Sequence, residues 1–153
     1  MNFVDPLGLS PMDVVNWASG QIGSWSYAYW TPHTEVRGNS GKYFGGMLTP
    51  KCNAFVYDAT KAGHCEAGRL ENGRIPTAGE WADPTIDIPG CSVVDHPTTG
   101  DIVAFNGHVG IYVPLINSLP GTISAASSGQ VVHNNWGFRN GQTPTFRRCS
   151  CSK

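Results

Sequence analysis

The dipeptide Asn106-Gly107 constrains this chain more than any other feature, because of the two runs that flank it. Asp101 to Phe105 precedes it and His108 to Val113 follows it, both short and mostly apolar. Asn-Gly between two such runs is the strongest short-range signal for a β-hairpin, since its two-residue turn needs φ > 0 at both positions. With a strand period of two, His108, Gly110 and Tyr112 face one way and Val109, Ile111 and Val113 the other. The branched face is expected to lie on the core. Shorter strands are expected at Thr122 to Ala126 and Gln130 to Asn134, joined by a Ser127-Ser128-Gly129 turn.

The first half carries helical signals instead. Ser10 is placed as N-cap with Pro11 at the first helical position, and Val14, Val15, Trp17, Ala18 and Ile22 form a partly helical stripe that Gly23 should end. Lys51 to Gly63 reads as a second helix with Phe55, Ala59 and Ala62 on one face, Val56 beside them and Gly63 as its stop. A short helix at Thr77 to Ala82 should start from a Thr cap. Between the first two helices, Ser24 to Leu48 has no sustained period and reads as a structured loop. Its Tyr27, Tyr29 and Trp30 could line a cleft or pack the core. Helices followed by antiparallel strands give an α+β class.

Length and charge narrow the function. With 153 residues the chain suits one domain around one core, and 14% charged residues with 19 Gly and 11 Pro suit a compact, loop-rich domain. A formal net charge of -1 leaves no electrostatic footprint for nucleic acid or an anionic membrane. The longest apolar runs, such as Val109 to Ile116, are too short to span a bilayer. No basic n-region precedes an apolar stretch at the start, so no secretory signal peptide is expected there.

Two residues carry candidate chemistry. Cys52 falls at the predicted start of the second helix, where free N–H groups and the helix dipole favour a thiolate and can receive an oxyanion. His108 opens the strand after the hairpin, beside Gly110, which leaves room for a neighbouring helix end. An imidazole there can take a thiol proton and return it to a leaving amine. His33, His64, His96 and His133 lack this context.

These segments resemble a known family. Lys51-Cys52-Asn53-Ala54-Phe55-Val56 is similar to the Asp-Cys-Ser-Gly-Phe-Val segment bearing the nucleophile in papain-like, NlpC-type cell-wall peptidases. Gly100-Asp101-Ile102-Val103-Ala104-Phe105 and Gly107-His108-Val109-Gly110-Ile111-Tyr112 resemble that family's Gly-Asp-Leu-Val-Phe-Phe and His-Val-Gly-Ile-Tyr, and Ile75-Pro76-Thr77-Ala78 resembles its Leu-Pro-Arg-Thr. The chain departs from the pattern at Lys51 and at Asn53-Ala54. The resemblance covers Ser10 to about Phe138 and implies a papain-like fold, helices packed on a small antiparallel sheet, with Cys52 and His108 catalytic. It also implies a third, polar residue that orients the imidazole. Ile123-Ser124-Ala125-Ala126 puts Ser124 in that place. Asn134 is the rival, because Asn134-Asn135-Trp136-Gly137 resembles the Asn-Ser-Trp-Gly of papain-like proteases, and a bare dyad is the third option.

Asp5-Pro6-Leu7-Gly8-Leu9 resembles the end of an Rhs core, a β-cage after which a variable toxin follows. Residues 1–9 are then a leader and 10–153 the hydrolase domain. The two resemblances imply a secreted antibacterial effector, delivered to the periplasm of a target bacterium, that hydrolyses peptidoglycan peptide amides without a metal or cofactor. Its partners would be the upstream cage and an immunity protein. A deamidase or acyltransferase acting on a target-cell protein, or an inactive cell-wall-binding module, are the alternatives.

The five cysteines, Cys52, Cys65, Cys91, Cys149 and Cys151, include no C-x-x-C pair, which weakens a zinc reading. One free thiol with up to two disulfides, or five reduced thiols, both fit the count. Cys149 and Cys151 lie in a polar tail without a regular pattern, and the expectation is that they pair with Cys65 or Cys91 and leave Cys52 free.

Overall fold

The computed structural model describes residues 10–27, 52–65, 70, 73, 75–105 and 107–151. The Asp5-to-Leu9 motif, Tyr29, Trp30, Lys51 and Asn106 lie outside the described residues. Among those described, helices α1 (Pro11–Gly20), α2 (Cys52–Ala62) and α3 (Ala78–Ala82) come first. Strands β1 (Cys91–Val94), β2 (Ile102–Phe105), β3 (His108–Tyr112), β4 (Thr122–Ala125), β5 (Val131–Asn134) and β6 (Thr145–Cys149) follow. They form one antiparallel sheet in the order β1-β6-β2-β3-β4-β5, and the class is α+β.

Local chemistry sets the helix starts where the sequence puts them. Ser10 caps α1 by accepting the Asp13 N–H at 3.4 Å, with Pro11 in the first turn. Thr77 and Glu80 form a reciprocal capping box on α3, the Glu80 N–H to Thr77 Oγ1 at 3.2 Å and the Thr77 N–H to Glu80 Oε1 at 2.9 Å. The helix ends differ from expectation. α1 stops at Gly20, and Gly23 instead donates its N–H to Val131 of the edge strand β5. At the end of α2 the left-handed residue is His64, φ 55°, not Gly63. Gly63 is needed for space, because a Cβ there would lie 2.6 Å from Val14 Cγ2 and 2.8 Å from the Ser10 carbonyl of α1. Ala62, expected on the apolar face, is exposed, while Phe55, Val56 and Ala59 are fully buried.

The β2–β3 hairpin forms as the alternation requires, Phe105 opposite His108 and Ala104 opposite Val109, with Gly107 at φ +89°. Register then sorts the two faces. Ile102, Ala104, Val109, Ile111, Ile123, Ala125 and Val131 join Val14, Ala18, Phe55, Ala59 and Trp81 in the core under the helices. On the opposite face, Phe105, His108, Tyr112 and Phe146 meet the short 3₁₀ turn Trp136–Phe138. Tyr27, a candidate for the cleft wall, belongs to the core: it packs edge-on against Phe55 at 5.3 Å and its hydroxyl donates to Asp58.

The C-terminal segment is not a frayed tail. Thr145–Cys149 is β6, seated between β1 and β2. Its Arg147 is 2% exposed, and the guanidinium donates to the carbonyls of Trp81 (2.9 Å), Asp83 (2.6 Å) and Ile86 (3.0 Å), closing the C-terminal end of α3. A buried cation survives there because carbonyl oxygens at the helix end replace its water. Disulfides Cys65–Cys151 and Cys91–Cys149 tie this strand to the chain just past α2 and to β1, and Cys52 is free, as the pairing expectation had it.

Candidate active site

The site forms where the ladder between β3 and β4 opens. Their pairing covers Ile111 with Ile123 and Tyr112 with Thr122 only. Beyond it the backbone N–H of Val109 favours the ionised form of Cys52, the first residue of α2. The backbone N–H groups of Cys52 and Asn53 work in the same direction. Asn53, buried at 4% exposure, fixes this helix start by donating its side-chain amide to the Pro76 carbonyl at 3.2 Å.

His108 approaches from the first residue of β3. Its Nε2 lies 2.9 Å from Ser124 Oγ, on the adjacent strand, and both side chains are buried. Gly110 makes this contact sterically open: a Cβ on it would lie 2.8 Å from the Ser124 Cβ. The glycine therefore makes room for Ser124 on the neighbouring strand, where the sequence reading gave that space to a helix end. Trp136 stacks on the imidazole, centroids 3.9 Å apart and planes 30° apart, and covers it. Nδ1 makes no hydrogen bond to the described residues, so Ser124 engages one ring nitrogen and leaves the other open.

Cys52 and His108 line one cavity of about 350 Å³, together with Phe105, Gly107, Ala125, Ser127, Trp136 and Gln142. Of the two candidates for the third position, the fold brings Ser124 to His108 and turns Asn134 elsewhere. Asn134 Oδ1 accepts the Trp136 N–H at 3.1 Å and so shapes the turn that carries the stacked indole. Asn134 thus reaches the site through Trp136. The indole itself sits inside the quoted Asn134-Asn135-Trp136-Gly137 segment, but nothing in a single sequence says that it folds back over His108.

Electrostatics at the pair differ from the expectation of a helix-stabilised thiolate. The three backbone N–H groups pull the Cys52 pKa down as expected, yet burial outweighs them and pushes it above the ordinary thiol value. Burial also lowers His108 to about 4, and among the described residues no carboxylate supports an imidazolium there. Burial thus works against the charged form of each group.

Among the described residues, no group of three or more His, Cys, Asp or Glu is placed to hold a metal ion, and no helix is long and apolar enough to cross a membrane. Comparison of the chain with protein-family models, with curated proteins and with solved structures finds no match.

Proposed function

We propose that this domain is a cysteine amide hydrolase of the papain-like, NlpC type, with Cys52 as nucleophile and His108 as general base and acid. The observation that carries the reading is the shared cavity: a thiol at a helix start and an imidazole whose Nε2 is held by Ser124 open onto one 350 Å³ space. With Ser124 Oγ accepting the Nε2 proton, the neutral tautomer leaves the Nδ1 lone pair free to take the proton of Cys52. The sulfur then attacks the carbonyl carbon of the bound amide. Because burial disfavours both charged forms, proton transfer and attack proceed together, without a stored ion pair.

The carbonyl oxygen becomes an oxyanion, and the N–H groups at the start of α2 supply fixed donors for it. The His108 imidazolium gives its proton to the departing amine, leaving a thioester on Cys52. Water, deprotonated by His108, attacks the thioester carbonyl, releases the acid and returns the thiol. Trp136 over the imidazole keeps bulk water from its face. None of these steps calls on a metal.

The substrate we propose is the peptide part of peptidoglycan, reached in the periplasm of a target bacterium. The domain would be freed from an upstream Rhs-type cage and held in check in its producer by an immunity protein seated over the cavity. The test is digestion of purified muropeptides followed by mass spectrometry. A new amine and carboxylate at one defined peptide bond, lost in Cys52→Ala, supports the reading. Intact muropeptides together with a one-unit mass gain on a target-protein glutamine would replace it with a deamidase.

A further inference from the structure

Strand β6 holds the nucleophile helix at both ends. At the far end, Cys65 closes the last turn of α2, its N–H donating to the Thr60 carbonyl at 2.8 Å, and is bonded to Cys151 just past β6. At the near end the connection runs through side chains. Arg147 of β6 grips the carbonyls of Trp81, Asp83 and Ile86, and Thr145 Oγ1 donates to the Ala82 carbonyl at 2.6 Å, so β6 fixes α3. The chain entering α3 carries Pro76, whose carbonyl receives the Asn53 side chain beside Cys52. The outer flank of β6 is in turn bonded by Cys91–Cys149 to β1, which sits at the sheet edge.

We infer that the cavity is redox-conditional: Cys52 is placed and sheltered only while Cys65–Cys151 and Cys91–Cys149 are both closed, so a thiol reductant switches the site off. This inverts the usual behaviour of a thiol enzyme, which a reductant activates. Calling the device a regulator of catalysis rests on Cys52 being the nucleophile, whereas the conditional cavity stands on geometry alone. The chemistry balances simply. A dithiol reductant gives two electrons and two protons to each disulfide, yielding two cysteine thiols and its own cyclic disulfide, and glutathione disulfide reverses the step by thiol–disulfide exchange. A reducing cytosol would thus keep the domain idle, and an oxidising compartment would assemble it.

The experiment uses the full chain, oxidised, then treated with a dithiol, with disulfide opening followed by non-reducing peptide mapping. Alkylation of Cys52 reports its shelter, and the tryptophan bands of the near-ultraviolet circular dichroism report aromatic packing, that of Trp81 and Trp136 included; neither readout needs turnover. Opening both disulfides is expected to speed alkylation of Cys52 by about tenfold or more, the scale on which local opening exposes a protected group. The dichroism signal should collapse, and both should return on reoxidation with glutathione disulfide. A variant with Cys65→Ser, Cys91→Ser, Cys149→Ser and Cys151→Ser should behave as the reduced chain does without any reductant. Unchanged Cys52 protection and dichroism with both disulfides open would overturn the inference. If shelter follows the disulfides but muropeptides stay intact in either state, the redox-conditional cavity stands and the hydrolase reading falls.

Discussion

On the β1–β6 side of the sheet, Cys91–Cys149 links two paired strands, Arg148 makes a two-pronged contact with Asp101 at 2.8 and 3.0 Å, and Arg147 donates to several backbone carbonyls. On the β3–β4 side the ladder opens, a thiol and an imidazole are buried with both charged forms disfavoured, and the contacts are one hydroxyl, one stacked ring and a few N–H groups. One side is fixed by covalent bonds and satisfied polar groups. The other is a cavity lined by a buried thiol and a buried imidazole, each with few polar partners among the described residues. The contrast teaches that a small domain can tolerate a costly cavity when stability is concentrated on the opposite flank.

The largest effects should come from the open side and should spare the fold. Cys52→Ala and His108→Ala should each lower kcat/KM by about 10⁴-fold or more, and the double variant should be little worse, because the pair acts as a unit. Thermal melts of the variants within a few degrees of the parent would confirm that chemistry, not folding, was lost. Additive losses in the double variant would break the assignment.

On the clamped side the effect should be on stability. Cys91–Cys149 spans 58 residues and Cys65–Cys151 spans 86. Replacing either pair by serine should cost roughly 3–5 kcal/mol, read as a shift in the urea midpoint. A loss below about 1 kcal/mol for both would erase the contrast between the flanks.

The pH dependence of stability should also come from the open side. His108 has a folded pKa of about 4, below that of the unfolded chain. Between those values the unfolded chain binds the extra proton, so stability rises with pH through this window. It is complete above the unfolded value near 6.5, and roughly 3 kcal/mol is lost as pH falls to the folded one. His108→Asn, which does not titrate, should flatten that slope in urea titrations from pH 7 to 4. Turnover should likewise lose its base only as pH drops toward 4.

The smallest of these effects concerns Ser124. Ser124→Ala removes the one hydrogen bond to His108 Nε2 and should lower kcat/KM roughly tenfold, in line with a neutral hydrogen bond. Asn134→Ala should act more weakly, through the Trp136 turn. The reverse ranking would make Asn134 the orienting residue.

How far the sequence reveals this molecule depends on the range of the forces involved. The hairpin at Gly107 and the Ser10 and Thr77 caps follow from residues within a few positions of one another and are read correctly from the chain, while the reciprocal half of the Thr77 cap, from Glu80, is seen only in the structure. The cysteine pairing is read in part from a count, one thiol left over from two bonds. β6 is missed because Thr145-Phe146-Arg147-Arg148-Cys149 looks like an exposed polar tail. Only the carbonyls at the end of α3, some sixty residues earlier, make a buried Arg147 tolerable. β1 is missed for the same reason, since its pattern is mostly exposed and its partner is β6. Local pattern names Cys52 and His108 as candidates, whereas seeing that Ser124, and not Asn134, meets His108 needs the cross-strand register beside Gly110. The depressed thiolate expected from the helix start fails because burial is a property of the fold.

Capture of the covalent intermediate tests the central claim most directly. The oxidised domain is mixed with a muropeptide pool, quenched in acid within the first turnovers, proteolysed and examined by mass spectrometry. The account predicts an acyl adduct on the peptide containing Cys52, of the mass of one cleaved stem fragment, and none in Cys52→Ala. Muropeptide cleavage that proceeds with no adduct on Cys52, and at full rate in Cys52→Ala, would contradict it.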